Sequence, residues 1–309
     1  MSSDQSWPKI AVVGAGAVGG YFGGMLARAG APVVFIGRLA FVEAVAKDGL
    51  LLDTTTFKEC VKVEASADLS ATRDAEIVLF CVKTTDTAQV SRELATLIAP
   101  GAIVVSMQNG ADNAEQIHAA SEIKALAAAV YVAASVPAAG TVKHVGRGDV
   151  VLGPENEKTR RIAELFTRAK VPCRISDNLT GELWTKLVWN CALNALSALG
   201  KVTYGEIIAS PDAKQLLEGT VYEVLAVAKA AGIQPPGLED PKVAFAGAYK
   251  IAEQMSATRS STSQDMMRGK RTEIDSLNGF IARKGRELGV PTPLNHALFT
   301  LVKLAESSF

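Results

Sequence analysis

Lys9-Ile10-Ala11-Val12-Val13-Gly14-Ala15-Gly16-Ala17-Val18-Gly19-Gly20-Tyr21 decides how the rest of the chain is read. Lys9 to Val13 is a short apolar, β-branched run, as expected of a strand. Glycines at 14, 16 and 19 follow at once, and Tyr21 to Ala29 continues as a helix that stops at Gly30. This is GxGxxG in the order strand, tight turn, helix, the context that gives the pattern meaning. Glycines permit the turn and the close approach of a pyrophosphate, and the helix N-terminus offers unpaired N–H donors to that anion. Gly14, Ala15, Gly16, Ala17, Val18 and Gly19 are therefore candidate cofactor-binding residues. The competing reading is a glycine-rich packing turn in a fold that binds nothing.

Working outward, Pro32 to Ile36 reads as the next strand and ends in Gly37-Arg38. An NAD site usually has an acidic residue here for the ribose 2′-hydroxyl. Arg38 stands there instead, and a guanidinium pairs with a 2′-phosphate, so NADP(H) is favoured unless Arg38 is an ordinary surface cation. Glu76 to Val82 and Ala102 to Ser106 are further apolar runs, suited to strands covered on both faces of a parallel sheet. The first ends in Lys83-Thr84 and the second in Met107-Gln108-Asn109-Gly110, before a helical Ala111 to His118. Ligands bind beyond the carboxyl ends of such strands, which makes Lys83 and Asn109 candidates by position. Asn109-Gly110 also reads simply as a turn. Lys124 to Leu152 looks like strands and turns, with Gly146-Arg147-Gly148-Asp149 as one turn. Glu157 to Ala169 is an amphipathic helix, and Val171 to Ile175 a strand.

After Asp177 the pattern turns wholly helical. The expected organisation is an α/β Rossmann-type N-terminal domain, residues 1–177, followed by an all-α C-terminal domain, residues 178–309. The second half opens with Leu183 to Leu196, apolar nearly all round and so expected to be buried. Lys186, Asn190 and Asn194 form one narrow polar stripe on it at helical spacing, with Ser197 beside them. Buried polar groups need partners, supplied either by neighbouring backbone or by a polar ligand in a wet cleft. Helices are also expected over Tyr204–Ala209, residues 213–231 and Pro241–Met255. Next comes a hydroxyl-rich patch, Thr258 to Asp265, in which Ser261 or Ser263 is placed to cap the following helix, Met266 to Leu288. A last helix starts at the prolines Pro291 and Pro293 and runs to about Glu306.

Bulk composition removes several function classes. The 309 residues carry 32 basic and 32 acidic side chains, so no basic face points to nucleic acid or an anionic membrane. No apolar run is long enough to span a bilayer, and Met1 to Pro8 carries no signal-peptide pattern. The four cysteines are widely spaced without CxxC, as expected of reduced thiols in a cytoplasmic protein. The three histidines lie far apart without metal-ligand spacing, so no metal is expected.

Taken together, GAGAVGG at 14–20, VKTTDT at 82–87, QNG at 108–110, WTKLVWNCALN at 184–194 and SSTSQDMMRGKRTEIDSLNG at 260–279 resemble ketopantoate reductase (2-dehydropantoate 2-reductase). The resemblance runs from Ile10 to Glu306. It implies NADPH-dependent reduction of 2-dehydropantoate to (R)-pantoate, a step of pantothenate biosynthesis. By the same resemblance Lys186 is the general acid and Glu273 is catalytic. Asn190 and Asn194 contact the substrate, Ser261 binds its carboxylate, Asn109 lies at the cofactor and active site, and Lys83 belongs with the cofactor residues. Two positions depart from the pattern, Thr258 where many members have Asn and Thr262 where many have Met. Both bear on how the far end of the substrate is held. Reduction of another 2-oxo acid is the nearest alternative. A hydroxyacid or opine-type Rossmann dehydrogenase and a non-catalytic NADP-binding sensor are the others. A homodimer through the helical half is left open.

Overall fold

All four residues of β1 (Ile10–Val13) are buried. Its side chains alternate between two cores, as a pleated strand covered on both faces requires. Ile10 and Val12 join Phe22, Phe35, Leu50, Leu52 and Phe166 on one face. Ala11 and Val13 join Val78, Phe80, Leu94, Val104 and Ile117 on the other. The computed structural model describes residues 6–309, so Met1–Gln5 of the expected polar N-terminus lie outside the described residues.

The chain divides into two units, Met1–Leu179 and Thr180–Phe309. In the first, β1 is followed by α1 (Ala17–Arg28), β2 (Val33–Ile36), α2 (Leu39–Asp48), β3 (Leu50–Asp53), β4 (Lys58–Val61) and β5 (Glu64–Ser66). Then come β6 (Ile77–Phe80), α3 (Thr87–Ala95), β7 (Ile103–Ser106), α4 (Asn113–Ser121), β8 (Leu126–Ser135), β9 (Thr141–Leu152), α5 (Glu157–Arg168) and β10 (Cys173–Ile175). The strands lie in the order β4-β3-β9-β8-β7-β6-β1-β2-β5, with β10 on β9. From β5 to β8 every pairing is parallel. Beyond it β8 and β9 pair antiparallel, as do β3 and β4, while β3 and β10 run parallel to β9.

Gly146-Arg147-Gly148-Asp149, which reads as a turn, lies inside β9. The β8–β9 pairing shifts register at Tyr131/Val132 and again at Ala133/Ala134. Arg147 (φ 52) and Gly148 (φ 142) take up the shift as a bulge. A bulge and a turn draw on the same residue types, which is why composition did not separate them.

The second unit is helical throughout its described elements: α6 (Leu179–Gly200), α7 (Tyr204–Ala209), α8 (Pro211–Ala230), α9 (Pro241–Gln254), α10 (Ser261–Met267), a 3-10 turn at Ile274–Ser276, α11 (Asn278–Leu288) and α12 (Pro293–Glu306). Helix α6 is longer at both ends than its apolar core suggests, and residues of α9, α11 and α12 pack against it. Trp189 fits against Gly247 of α9, where a Cβ would stand 2.7 Å from the ring. Trp184 meets Phe280 of α11 edge-on, and Asn278 donates to the Cys191 carbonyl at 3.0 Å. Ala195 shares a core cluster with Leu298 and Val302 of α12.

The expected single helix from Met266 to Leu288 is broken. Helix α10 stops at Met267, Gly269 takes φ +60, and helical structure resumes only at the Ile274 turn and then at Asn278. Arg268, Lys270 and Arg271 suit a helix surface and a loop equally, so the sequence pattern hides the break. Glu306 fixes the intervening segment by accepting the Thr272 amide at 2.6 Å. Among the described residues no helix is long and apolar enough to cross a membrane.

Candidate active site

Backbone hydrogen bonds bring the carboxyl ends of four strands of the first unit side by side. Gly14 donates to Ile36 O at 3.0 Å, Cys81 to Val13 O at 2.7 Å, and Met107 to Phe80 O at 2.9 Å. The glycine turn therefore adjoins Gly37-Arg38 after β2 and Cys81-Val82-Lys83 after β6, and the latter adjoins Gln108-Asn109 after β7. Gly14 holds φ +105, and a Cβ there would lie 2.6 Å from the Cys81 carbonyl carbon. Gly19 is equally constrained, since its Cβ would meet the Gly14 oxygen. Gly16 differs. It is exposed, its backbone is extended (φ -84), and nothing lies within 4 Å of where a Cβ would be.

Gly16 is the N-cap of α1, and no side chain caps that end. The first helical bond runs from Gly20 N to Gly16 O at 2.8 Å, so the amides of Ala17, Val18 and Gly19 precede the helix's own hydrogen bonding. Donors facing open space at a helix N-terminus suit a pyrophosphate. The chain's residues thus fit a dinucleotide. Arg38 is exposed at the N-cap of α2, immediately after Gly37, whose own Cβ would touch Ala15 of the glycine turn at 2.9 Å. Lys83 and Asn109 are half-buried. Burial pushes the Cys81 thiol up, so it is not a ready nucleophile beside the turn.

Gln108 escaped the sequence reading. It is buried, accepts from the Ser106 hydroxyl, and donates to both Val82 O and Thr87 Oγ1. One side chain thereby ties the Lys83 loop to the Asn109 loop. Asn113 adds a second restraint by donating to Asn109 O at 2.6 Å. The available signal was a glutamine amid apolar residues at a strand end, where a buried amide must find partners.

In the second unit, Lys186 and Asn190 are half-buried and Asn194 is buried on successive turns of α6. Asn194 Oδ1 accepts from the Tyr204 hydroxyl at 3.3 Å, and Asn194 O accepts from Ser260 Oγ at 3.0 Å. Ser197 Oγ accepts from Ser260 N at 3.1 Å. The cap of α10 is thus Ser260, not Ser261 or Ser263, with its hydroxyl accepting from Ser263 N at 3.0 Å. The preceding serine wins because it alone has the extended backbone a cap needs. Ser261 is exposed on the first turn of α10, one residue beyond that buried cap. Glu273 is half-buried directly before the Ile274 turn. The structure therefore gathers Asn194, Tyr204, Ser197 and Ser260 into one network, of which Tyr204 and Ser260 had no role assigned from the sequence. Cys191, also on α6, has its thiol pushed well up by burial. Among the described residues no group of three or more His, Cys, Asp or Glu side chains is placed to hold a metal ion.

Comparison with known proteins matches both units. The family model described as ketopantoate reductase PanE/ApbA matches residues 10–157, and its C-terminal companion matches residues 178–306. A 2-dehydropantoate 2-reductase of Archaeoglobus fulgidus is 30% identical over 303 residues, 97% of this chain and 98% of that relative. A crystal structure of a PanE/ApbA family ketopantoate reductase from Ralstonia eutropha is similar with a TM-score of 0.91 and 45% identity, covering 97% of this chain and 99% of that one. A D-mandelate dehydrogenase solved with NADH and anilino(oxo)acetate is similar at 26% identity with a TM-score of 0.89, covering 97% and 99% of the two chains. Matched through both units by one family's models, this oxidoreductase belongs to the ketopantoate reductase family.

Proposed function

We propose that this chain reduces a 2-oxo acid with NADPH, and that the substrate is 2-dehydropantoate, giving (R)-pantoate. The observation that carries the reading is the polar stripe Lys186, Asn190 and Asn194 on a helix otherwise packed in apolar contacts. Residues 1–177 hold the cofactor through Gly14, Ala15, Gly16, Ala17, Val18, Gly19, Arg38, Lys83 and Asn109. Residues 178–309 bind and protonate the substrate. Bound NADPH supplies the hydride. As the C2 carbonyl carbon accepts that hydride, its oxygen gains negative charge, and the Lys186 ammonium gives it a proton, leaving a neutral amine that solvent recharges. Asn190, Asn194 and Ser261 hold the substrate's oxygens, with Ser261 at the carboxylate. Glu273 is the second catalytic group in this reading. The exposed Arg38 favours NADPH by pairing with the 2′-phosphate. In this reading the protein works in the cytoplasm, on the route to pantothenate and coenzyme A.

A second reading has its own support. The D-mandelate dehydrogenase neighbour is named for an aryl hydroxy acid and was solved with NADH. On that reading this chain would take a bulkier 2-oxo acid. One assay separates the two: consumption of NADPH and of NADH with 2-dehydropantoate, phenylglyoxylate and a panel of simple 2-oxo acids. The proposal expects the highest kcat/KM for 2-dehydropantoate with NADPH. A preference for phenylglyoxylate with NADH replaces it with the second reading, and no turnover with any 2-oxo acid ends both.

A further inference from the structure

Tyr204 opens α7 with its ring buried and its hydroxyl 3.3 Å from Asn194 Oδ1. A phenol can donate to an amide oxygen, whereas an amide nitrogen can only donate. A phenol can also accept, but here it donates to Oδ1, which leaves the Asn194 Nδ2 on the other side of the amide. Among the described residues the side-chain bond at Asn194 is the one to Oδ1, and Nδ2 is not among the fully buried atoms left without a partner, so its donors are open to solvent or a ligand.

Both partners are pinned from several sides. Tyr204 N donates to Thr258 O and Gly205 N to Ser256 O, each at 2.9 Å. Thr203 caps α7 reciprocally with Glu206. Asn194 O is held by Ser260 Oγ, while Ser197 Oγ donates to Val202 O at 2.7 Å. The tyrosine hydroxyl and the asparagine amide are thus fixed by three chain segments that meet at this point. Burial pushes the Tyr204 phenol up to about 12, so it remains a protonated donor across the range in which an enzyme works.

We propose that Tyr204 is a positioning residue for substrate binding: by donating to Asn194 Oδ1 it turns the Asn194 Nδ2 hydrogens toward the substrate, so that this position recognises an acceptor oxygen and not a donor group. The inference rests on the reading that α6 binds a 2-oxo acid. It deepens that reading by stating which chemical group Asn194 selects and what makes it selective. Without the phenol, the amide is free to present either end.

The test is a double-mutant cycle in the full-length protein. Tyr204→Phe keeps the ring and removes only the hydroxyl. At 3.3 Å the bond is longer than a usual O–H···O contact, so the expected loss in kcat/KM is modest, about three- to tenfold and carried by KM. NADPH affinity stays at its wild-type value, and the melting temperature falls by no more than the loss of one long hydrogen bond accounts for. In an Asn194→Ala background, Tyr204→Phe costs nothing more, because the group it orients is gone. If Asn194→Ala fails to fold, Asn194→Leu serves instead: it keeps the volume but has no amide to orient, so its loss is equally insensitive to Tyr204. Equal losses from Tyr204→Phe in both backgrounds, or no loss in the wild-type background, overturn the role. Wild-type protein inactive on every 2-oxo acid removes the underlying reading and this inference with it, an outcome distinct from active wild type with an indifferent Tyr204.

Discussion

Gln108 Nε2 stands 2.7 Å from Thr87 Oγ1 and 3.0 Å from Val82 O. The same amide thus serves the first turn of α3 and the chain leaving β6. Gln108→Leu keeps most of the volume and removes every hydrogen bond, leaving Val82 O and Ser106 Oγ without this partner. The expected cost is about 1–3 kcal/mol of stability in urea denaturation. Because the Lys83 and Asn109 loops lose their common tie, NADPH affinity should fall in fluorescence titrations. Gln108→Glu, which keeps shape but cannot donate, should behave like the leucine variant.

Gly14 and Gly16 are expected to separate folding from binding. Gly14→Ala meets backbone at 2.6 Å in a left-handed conformation, so stability should fall by more than the roughly 1–2 kcal/mol of conformational strain alone. Gly16→Ala meets nothing within 4 Å and should change stability by less than about 1 kcal/mol, an N-cap effect. Its Cβ would nevertheless occupy the space a pyrophosphate needs. NADPH binding should therefore weaken by at least about tenfold, equivalent to 1.4 kcal/mol. Calorimetry and thermal melting on both variants check the contrast.

Lys186→Ala should lower kcat by about 10²–10⁴-fold, the usual contribution of a positioned general acid. NADPH affinity should not change, because the lysine belongs to α6 and not to the glycine turn. An unchanged kcat removes Lys186 from the proton transfer.

Lys303 joins Asp275 at 2.9 Å and Glu306 at 3.3 Å, tying α12 to the turn that follows Glu273. The hydrogen bond from Lys303 to Asp275, helped by the charges of Asp275 and Glu306, raises the Lys303 pKa above its usual 10.5. A raised lysine stabilises fully below its unfolded value and loses that contribution as pH climbs through the folded one. Lys303→Met should thus cost about 0.5 kcal/mol at pH 7, a small figure because the pair is partly exposed, and nothing once the wild-type lysine has lost its proton. Urea denaturation of both proteins between pH 7 and pH 12 measures the convergence.

The β1-turn-α1 unit and the α6 stripe were legible because local physics dictates both. A glycine with φ +105 has few substitutes, and polar groups every fourth residue in an apolar helix announce one face. Residues 39–66 were not legible. There β4 is exposed except at Val61 and β5 is three residues long, so neither shows alternation, and β5 pairs with β2 across an intervening helix and hairpin, a pairing set by tertiary structure. The capping of α10 turned on which serine has an extended backbone, a property shared out among Ser260, Ser261 and Ser263 by the surrounding fold and not by residue type. Gln108 and Tyr204 escaped for a related reason: their partners, Thr87 and Val82 for one and Asn194 for the other, lie 21, 26 and 10 residues away.

Two glycines in one fingerprint answer to different demands, and this changes how the fingerprint should be used in tracing descent. A descendant that had abandoned its nucleotide would still be obliged to keep Gly14, because the adjoining strand leaves no room for anything larger. Gly16 carries no such debt to the scaffold and would be free to drift. Among diverged copies of this chain, the middle glycine is the one whose replacement marks a lost ligand, and the first is silent on the matter.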